Sequence, residues 1–93
     1  MEISELRTKI DSLDREIVKL LVLRMGVSAE VAAYKIANGM PVLDKTRETA
    51  LLEKIASLSG DMSGYTHQIY LEILKQSRAY QDELIAKTAN KPR

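Results

Sequence analysis

From Leu6 onward the apolar positions advance in alternating steps of four and three: Leu6, Ile10, Leu13, Ile17, Leu20, then Arg24, then Val27, Val31 and Tyr34. This spacing draws one stripe along a helix, a heptad seam of the kind that pairs with another helix. A single cation interrupts it. Ser4 is a candidate N-cap, Asn38-Gly39 a left-handed stop, and Pro41 blocks continuation, so the pattern predicts helix 1 over about 5–37. Such a rod is about 50 Å long at ~1.5 Å per residue, more than a compact domain of this size needs. Gly26 inside it costs roughly 1 kcal/mol relative to Ala and counts against a straight rod.

A second helix is predicted over about 45–59, capped by Asp44, with Leu51, Leu52, Ile55 and Leu58 on its inner face. The segment GDMSG reads as a turn and Ser63 as a candidate cap. A third helix follows over about 64–87, its inner stripe carrying Ile69, Ile73, Leu74, Leu84 and Ile85. Ser77, Tyr80 and Gln81 occupy positions that the same period assigns to the core. Residues 88–93 are expected to be a frayed tail. The fold class is therefore all-α: a three-helix protomer with a long first helix. Two shorter helices cannot bury the whole seam of helix 1, so part of it is expected to pack on a second copy of the chain, in an intertwined homodimer.

Composition narrows the function. The chain has 93 residues, no cysteine, four glycines, two prolines and 45% hydrophobic residues, which suits one small helical domain stabilised by packing alone. A formal net charge of +1 leaves no basic excess for general binding of nucleic acid. The start, MEISELRTK, lacks an apolar core of a signal peptide, and no apolar run reaches the length of a membrane span, so a soluble cytoplasmic protein is expected. A lone histidine, His67, offers no basis for a metal site.

The polar residues that break the stripes carry the chemistry. Arg24 and Lys35 lie eleven residues apart at nearly one angular position, with Ser28 and Val31 between them. Their backbones are ~16 Å apart by helix rise, within reach of one small molecule for two long side chains. In LDKTRE, Asp44, Arg47 and Glu48 share a face with Leu51, Leu52 and Ile55, which places them inward. Ser77 and Gln81 are one turn apart on the inner stripe of helix 3. Taken singly, each has a structural explanation: Arg24 paired with a partner's glutamate, Asp44 as a cap, Ser77 bonded to backbone, Gln81 bridging two helices. Taken together they place three cations against one nearby glutamate, an imbalance that an anionic ligand relieves.

The spacing of Arg7, Arg24 and Lys35, the PVLDKTRE segment, and the late Ser77 and Gln81 resemble the all-helical chorismate mutases. The opening LRTKIDSLDREIVKLL is similar to that family's first helix, and the likeness runs from Leu6 to about Leu84. The resemblance implies an entwined dimer that converts chorismate to prephenate by a Claisen rearrangement, without a cofactor, in Phe and Tyr biosynthesis. It implies that Arg24 and the other copy's Arg7 grip two substrate carboxylates, and that Lys35 and Gln81 donate to the ether oxygen as it becomes negative. Glu48, with the Asp44 backbone, would hold the ring hydroxyl, and Arg47 and Ser77 would complete the polar wall. The same scaffold also serves isochorismate pyruvate lyase, and a noncatalytic helical dimerisation module would account for the heptads alone. Neither explains the LDKTRE segment with inward Lys35, Glu48 and Gln81 as well as the mutase does.

Helix geometry bears on Arg7 separately. It precedes Arg24 by seventeen residues, about 25 Å along a helix, so one small ligand cannot touch both in one chain. If two copies of helix 1 pair antiparallel with Arg7 opposite Arg24, the two-fold axis crosses near Arg15-Glu16 and generates two equal sites. Each would carry four cations and one glutamate, about +3, suited to a dianion.

Overall fold

The computed structural model describes residues 2–89, which are helical almost throughout and contain no strand. Helix α1 spans Ile3–Asn38, α2 spans Lys45–Ser59 and α3 spans Ser63–Ala89, with a single 3-10 turn, Gly60–Met62, running directly between the last two. The fold is all-α. Among the described residues no helix is long and apolar enough to cross a membrane.

Local chemistry sets the ends of these helices, in places not where the pattern put them. Helix α1 begins two residues before the expected start. Glu2 takes the cap position without a side-chain bond, and Ser4 lies inside the helix, where its carbonyl accepts from Thr8 Oγ1 at 3.0 Å. At the other end Gly39 adopts the left-handed conformation, with φ 62° and ψ 32°. The N–H of Gly39 bonds back to Ile36 O and that of Met40 to Lys35 O, the paired bonds of a Schellman stop. Asp44 caps α2 as expected, its carboxylate accepting from the Arg47 N–H at 3.0 Å.

The α2–α3 connection turns at Gly60, whose φ of 54° and ψ of −131° suit glycine. Ser63 was expected to cap the third helix, but its backbone is already helical because the 3-10 turn leads straight into α3. Hydroxyls brace the corner instead: Thr66 Oγ1 lies 2.6 Å from Ser59 Oγ, which in turn bonds Ile55 O. Thr88 and Ala89 continue α3 rather than fraying, with the Thr88 hydroxyl bonded to Leu84 O. The rest of the expected frayed tail lies outside the described residues.

Helix α3 packs against both α1 and α2, which do not pack on each other. Its crossing with α1 holds the interior, such as it is: Ala32 and Leu74 are the only buried apolar residues among those described, and Ser28, Ser77 and Gln81 are buried beside them. Leu51, Leu52 and Ile55 of α2 are half-buried, as are Ile73, Leu84 and Ile85 of α3. Leu58 and Ile69, expected on inner faces, are 73% and 57% exposed. The molecule measures 61 × 28 × 14 Å, with a radius of gyration of 16.9 Å against roughly 12 Å for a compact domain of this length. Along the first half of α1 every seam residue is exposed, Leu13 by 62% and Leu20 by 61%.

Candidate active site

The second half of α1, the loop after it, the first turns of α2 and the middle of α3 enclose a cavity of about 290 Å³. Helix α1 contributes Arg24, Ser28 and Lys35 at steps of four and seven, one face of the helix, with Val27 and Val31 beside them. Val42 and Asp44 come from the loop. Arg47, Glu48 and Leu51 come from α2, and Leu74, Ser77, Arg78 and Gln81 from α3. Seven of the eight residues singled out from the sequence thus meet at one hollow. Arg7 does not; it is exposed near the start of α1.

The side chains are not all placed as expected. Asp44 and Arg47 are exposed at the rim rather than turned inward, whereas Glu48, next along the same turn, is half-buried and reaches α3. Arg24, Lys35 and Glu48 are half-buried, and Ser77 and Gln81 are buried. Lys35 Nζ donates to Val42 O at 2.6 Å, tying the loop back to the helix that precedes it. An ammonium carries three donors, so this bond leaves two for a ligand.

Two polar residues of the site, Arg78 and Ser28, carry little mark of their role in the sequence. Arg78 lines the cavity and its guanidinium pairs with the Glu48 carboxylate across the α2–α3 packing. Ser28 lies 2.6 Å from Ser77, hydroxyl to hydroxyl, and accepts from Gln81 Nε2 at 2.9 Å. Position 28 lies between two suspected cations on their face of the helix, one turn after Arg24 and two before Lys35, which is a signal of a kind; Arg78 flanks the inner stripe, and nothing short of its partner reveals it.

The walls hold Arg24, Lys35, Arg47 and Arg78 against Asp44 and Glu48, four cations to two carboxylates, a local charge of +2. Among the described residues, Arg24, Lys35 and Arg47 form no ion pair, so three cations at one small hollow lack counter-charge. Arg24 and Lys35, half-buried, and Arg47 at the rim repel one another, the first two also lose hydration, and a small dianion relieves both costs. Serine and glutamine beside them add neutral hydrogen-bonding groups. The set suits binding and charge stabilisation, and among the described residues no His, Asp and Glu cluster capable of holding a metal accompanies it.

Comparison with known proteins agrees with this chemistry. The family profile described as chorismate mutase type II matches residues 6–82. The chain is 28% identical over 93 residues to a chorismate mutase of Methanocaldococcus jannaschii, covering 97% of this chain and 94% of that protein. It is 32% identical over 87 residues to a bifunctional chorismate mutase/prephenate dehydratase of Buchnera aphidicola subsp. Schizaphis graminum, covering 90% of this chain but 23% of that one. It is also 29% identical over 92 residues to the T-protein of Haemophilus influenzae, of which it spans 24%. Against these two longer relatives, then, the chain covers less than a quarter of their length. No solved structure matches it. A profile that runs through every cavity-lining residue from Arg24 to Gln81 places the chain in the type II chorismate mutase family.

Proposed function

We propose that the chain rearranges chorismate to prephenate in a cavity completed by a second copy of itself. The observation that carries this reading is the meeting of Arg24, Lys35 and Arg47, cations without carboxylate partners, with Ser77 and Gln81 at one hollow between helices. A pericyclic rearrangement needs no nucleophile or general base. It needs a flexible side arm held over the ring and stabilisation of the charge that builds as the C–O bond breaks. Arg24 grips one substrate carboxylate and Arg7 of the second copy the other. Lys35 and Gln81 donate to the ether oxygen, Glu48 takes the ring hydroxyl, and Arg47 with Ser77 lines the remaining wall. Arg78 holds the Glu48 carboxylate toward the cavity.

The exposed seam supports the second copy. Leu6, Ile10, Leu13, Ile17 and Leu20 form an apolar stripe with nothing of their own chain upon it, and Arg7 sits about 25 Å of helix rise from Arg24. Antiparallel pairing about Arg15-Glu16 covers the stripe and brings Arg7 of each copy to the other's cavity. The local charge then rises from +2 to +3, matched to a dianionic substrate. Incubating the purified protein with chorismate, following its ultraviolet absorbance and identifying the product tests the reading. Prephenate is expected. Salicylate with pyruvate from isochorismate, or no turnover by a well-folded protein, would count against it.

A further inference from the structure

Ser28, Ser77 and Gln81 are 5%, 7% and 7% exposed, and they form one hydrogen-bonded chain across the α1–α3 crossing. Gln81 Nε2 donates to Ser28 Oγ, and either hydroxyl of the Ser28–Ser77 pair can donate to the other. Gln81 Oε1 is buried and accepts nothing. Buried polar atoms are rarely left so, and one without a partner invites a ligand or a rearrangement that satisfies it. The amide therefore directs a donor at its neighbour and leaves an acceptor idle. Nε2 carries two N–H groups and one is committed to Ser28, whereas the role proposed for Gln81 is served best when both remain for an oxygen that is becoming negative.

A serine hydroxyl donates and accepts equally well. If the amide turns by half a revolution, Ser77 O–H donates to Ser28, Ser28 O–H donates to Gln81 Oε1, and Nε2 is released to the cavity. The idle acceptor gains a partner, and the Ser28–Gln81 bond persists with its direction reversed. Resting on the mutase reading, we propose that Ser28 is a positioning residue: its hydroxyl, backed by Ser77, lets the Gln81 amide reverse when the substrate enters and then fixes it as a donor. Alanine at this position offers the amide no anchor in either orientation.

Steady-state kinetics of Ser28→Ala test this, with circular dichroism to confirm folding. The expected result is a fall in kcat of about tenfold with KM within a factor of about two, because the donor is needed mainly in the transition state. Ser28→Thr, which keeps the hydroxyl, should restore most of the rate; Ser28→Cys, of similar size but a weak hydrogen-bonding group, should fall between. A second readout separates positioning from packing. The carboxyl introduced by Gln81→Glu must be protonated to donate, so activity falls as pH rises. A Ser28 hydroxyl donating to its ionised form favours ionisation, so adding Ser28→Ala should move the falling limb upward by about one pH unit, a tenfold change in proton affinity. The charged groups around that carboxyl, Arg24 and Lys35 from α1, Asp44 from the loop, Arg47 and Glu48 from α2 and Arg78 from α3, are common to both variants and cancel. If the wild type makes prephenate while Ser28→Ala and Ser28→Cys match it in kcat and the limb does not move, the inference fails and the mutase reading stands. If the wild type makes no prephenate, both fall.

Discussion

Lys35 joins two tasks in one ammonium: it ties the Val42 carbonyl to α1 and offers its remaining donors to the cavity. Lys35→Ala should lower kcat by about 10² to 10³, the usual cost of losing one transition-state donor, with a smaller rise in KM; turnover within threefold of wild type would remove it from the mechanism. Arg78 pairs with Glu48, so under the proposed reading Arg78→Met, which keeps an unbranched stem but not the charge, should raise KM for chorismate about tenfold, a loss of ~1.4 kcal/mol in binding. Comparing it with Glu48→Gln and the double variant in a mutant cycle checks that the two act as a pair. Arg24, Ser77 and Gln81 were legible because each breaks an apolar stripe, and Lys35 because it lies eleven residues beyond Arg24 at nearly the same angular position. Ser28 and Arg78 were not. A small hydroxyl and a flanking arginine are ordinary on any helix, and they gain meaning only from what faces them, Gln81 in one case and Glu48 in the other.

Among the helices, the ends are where sequence and structure agree unevenly, and the reason is conformational. Asn38-Gly39 and Asp44 need a left-handed residue and a capping carboxylate at fixed places, so their chemistry is readable in advance. Ser4 and Ser63 carry hydroxyls that could cap, yet neither is used, because an earlier helix start at Ile3 and the 3-10 turn have already absorbed them. Two glycines make opposing predictions. Gly39 has a φ of 62°, so Gly39→Ala should destabilise by about 1 kcal/mol even though space around it is open. Gly26 lies inside α1 with nothing within 4 Å of an added Cβ, so Gly26→Ala should stabilise by up to ~1 kcal/mol. Urea denaturation of both variants at one protein concentration reads the two signs directly.

For the molecule as a whole, the all-α class and the excess length of α1 were plain from periodicity, whereas the depth of each cation was not: Arg47 is exposed while Glu48, next to it on the same turn, is half-buried. The proposed antiparallel pairing makes a mixed-dimer prediction. Arg7→Ala and Lys35→Ala chains, each crippled alone, should regain up to a quarter of wild-type activity per site when mixed in equal amounts, since a random half of the dimers are hybrids with one intact site of two. Mixing that restores nothing would place Arg7 outside the reaction. The 14 Å breadth has a further consequence. A slab little thicker than one helix with its side chains has almost no inside, and among the described residues only the small side chain of Ala32 is completely enclosed. Collapse of one chain alone gains little, so under the proposed pairing acquiring shape becomes an encounter between twins. Recovery from denaturant should accelerate in proportion to protein concentration, and below a threshold abundance the polypeptide should persist as helical segments without a working hollow.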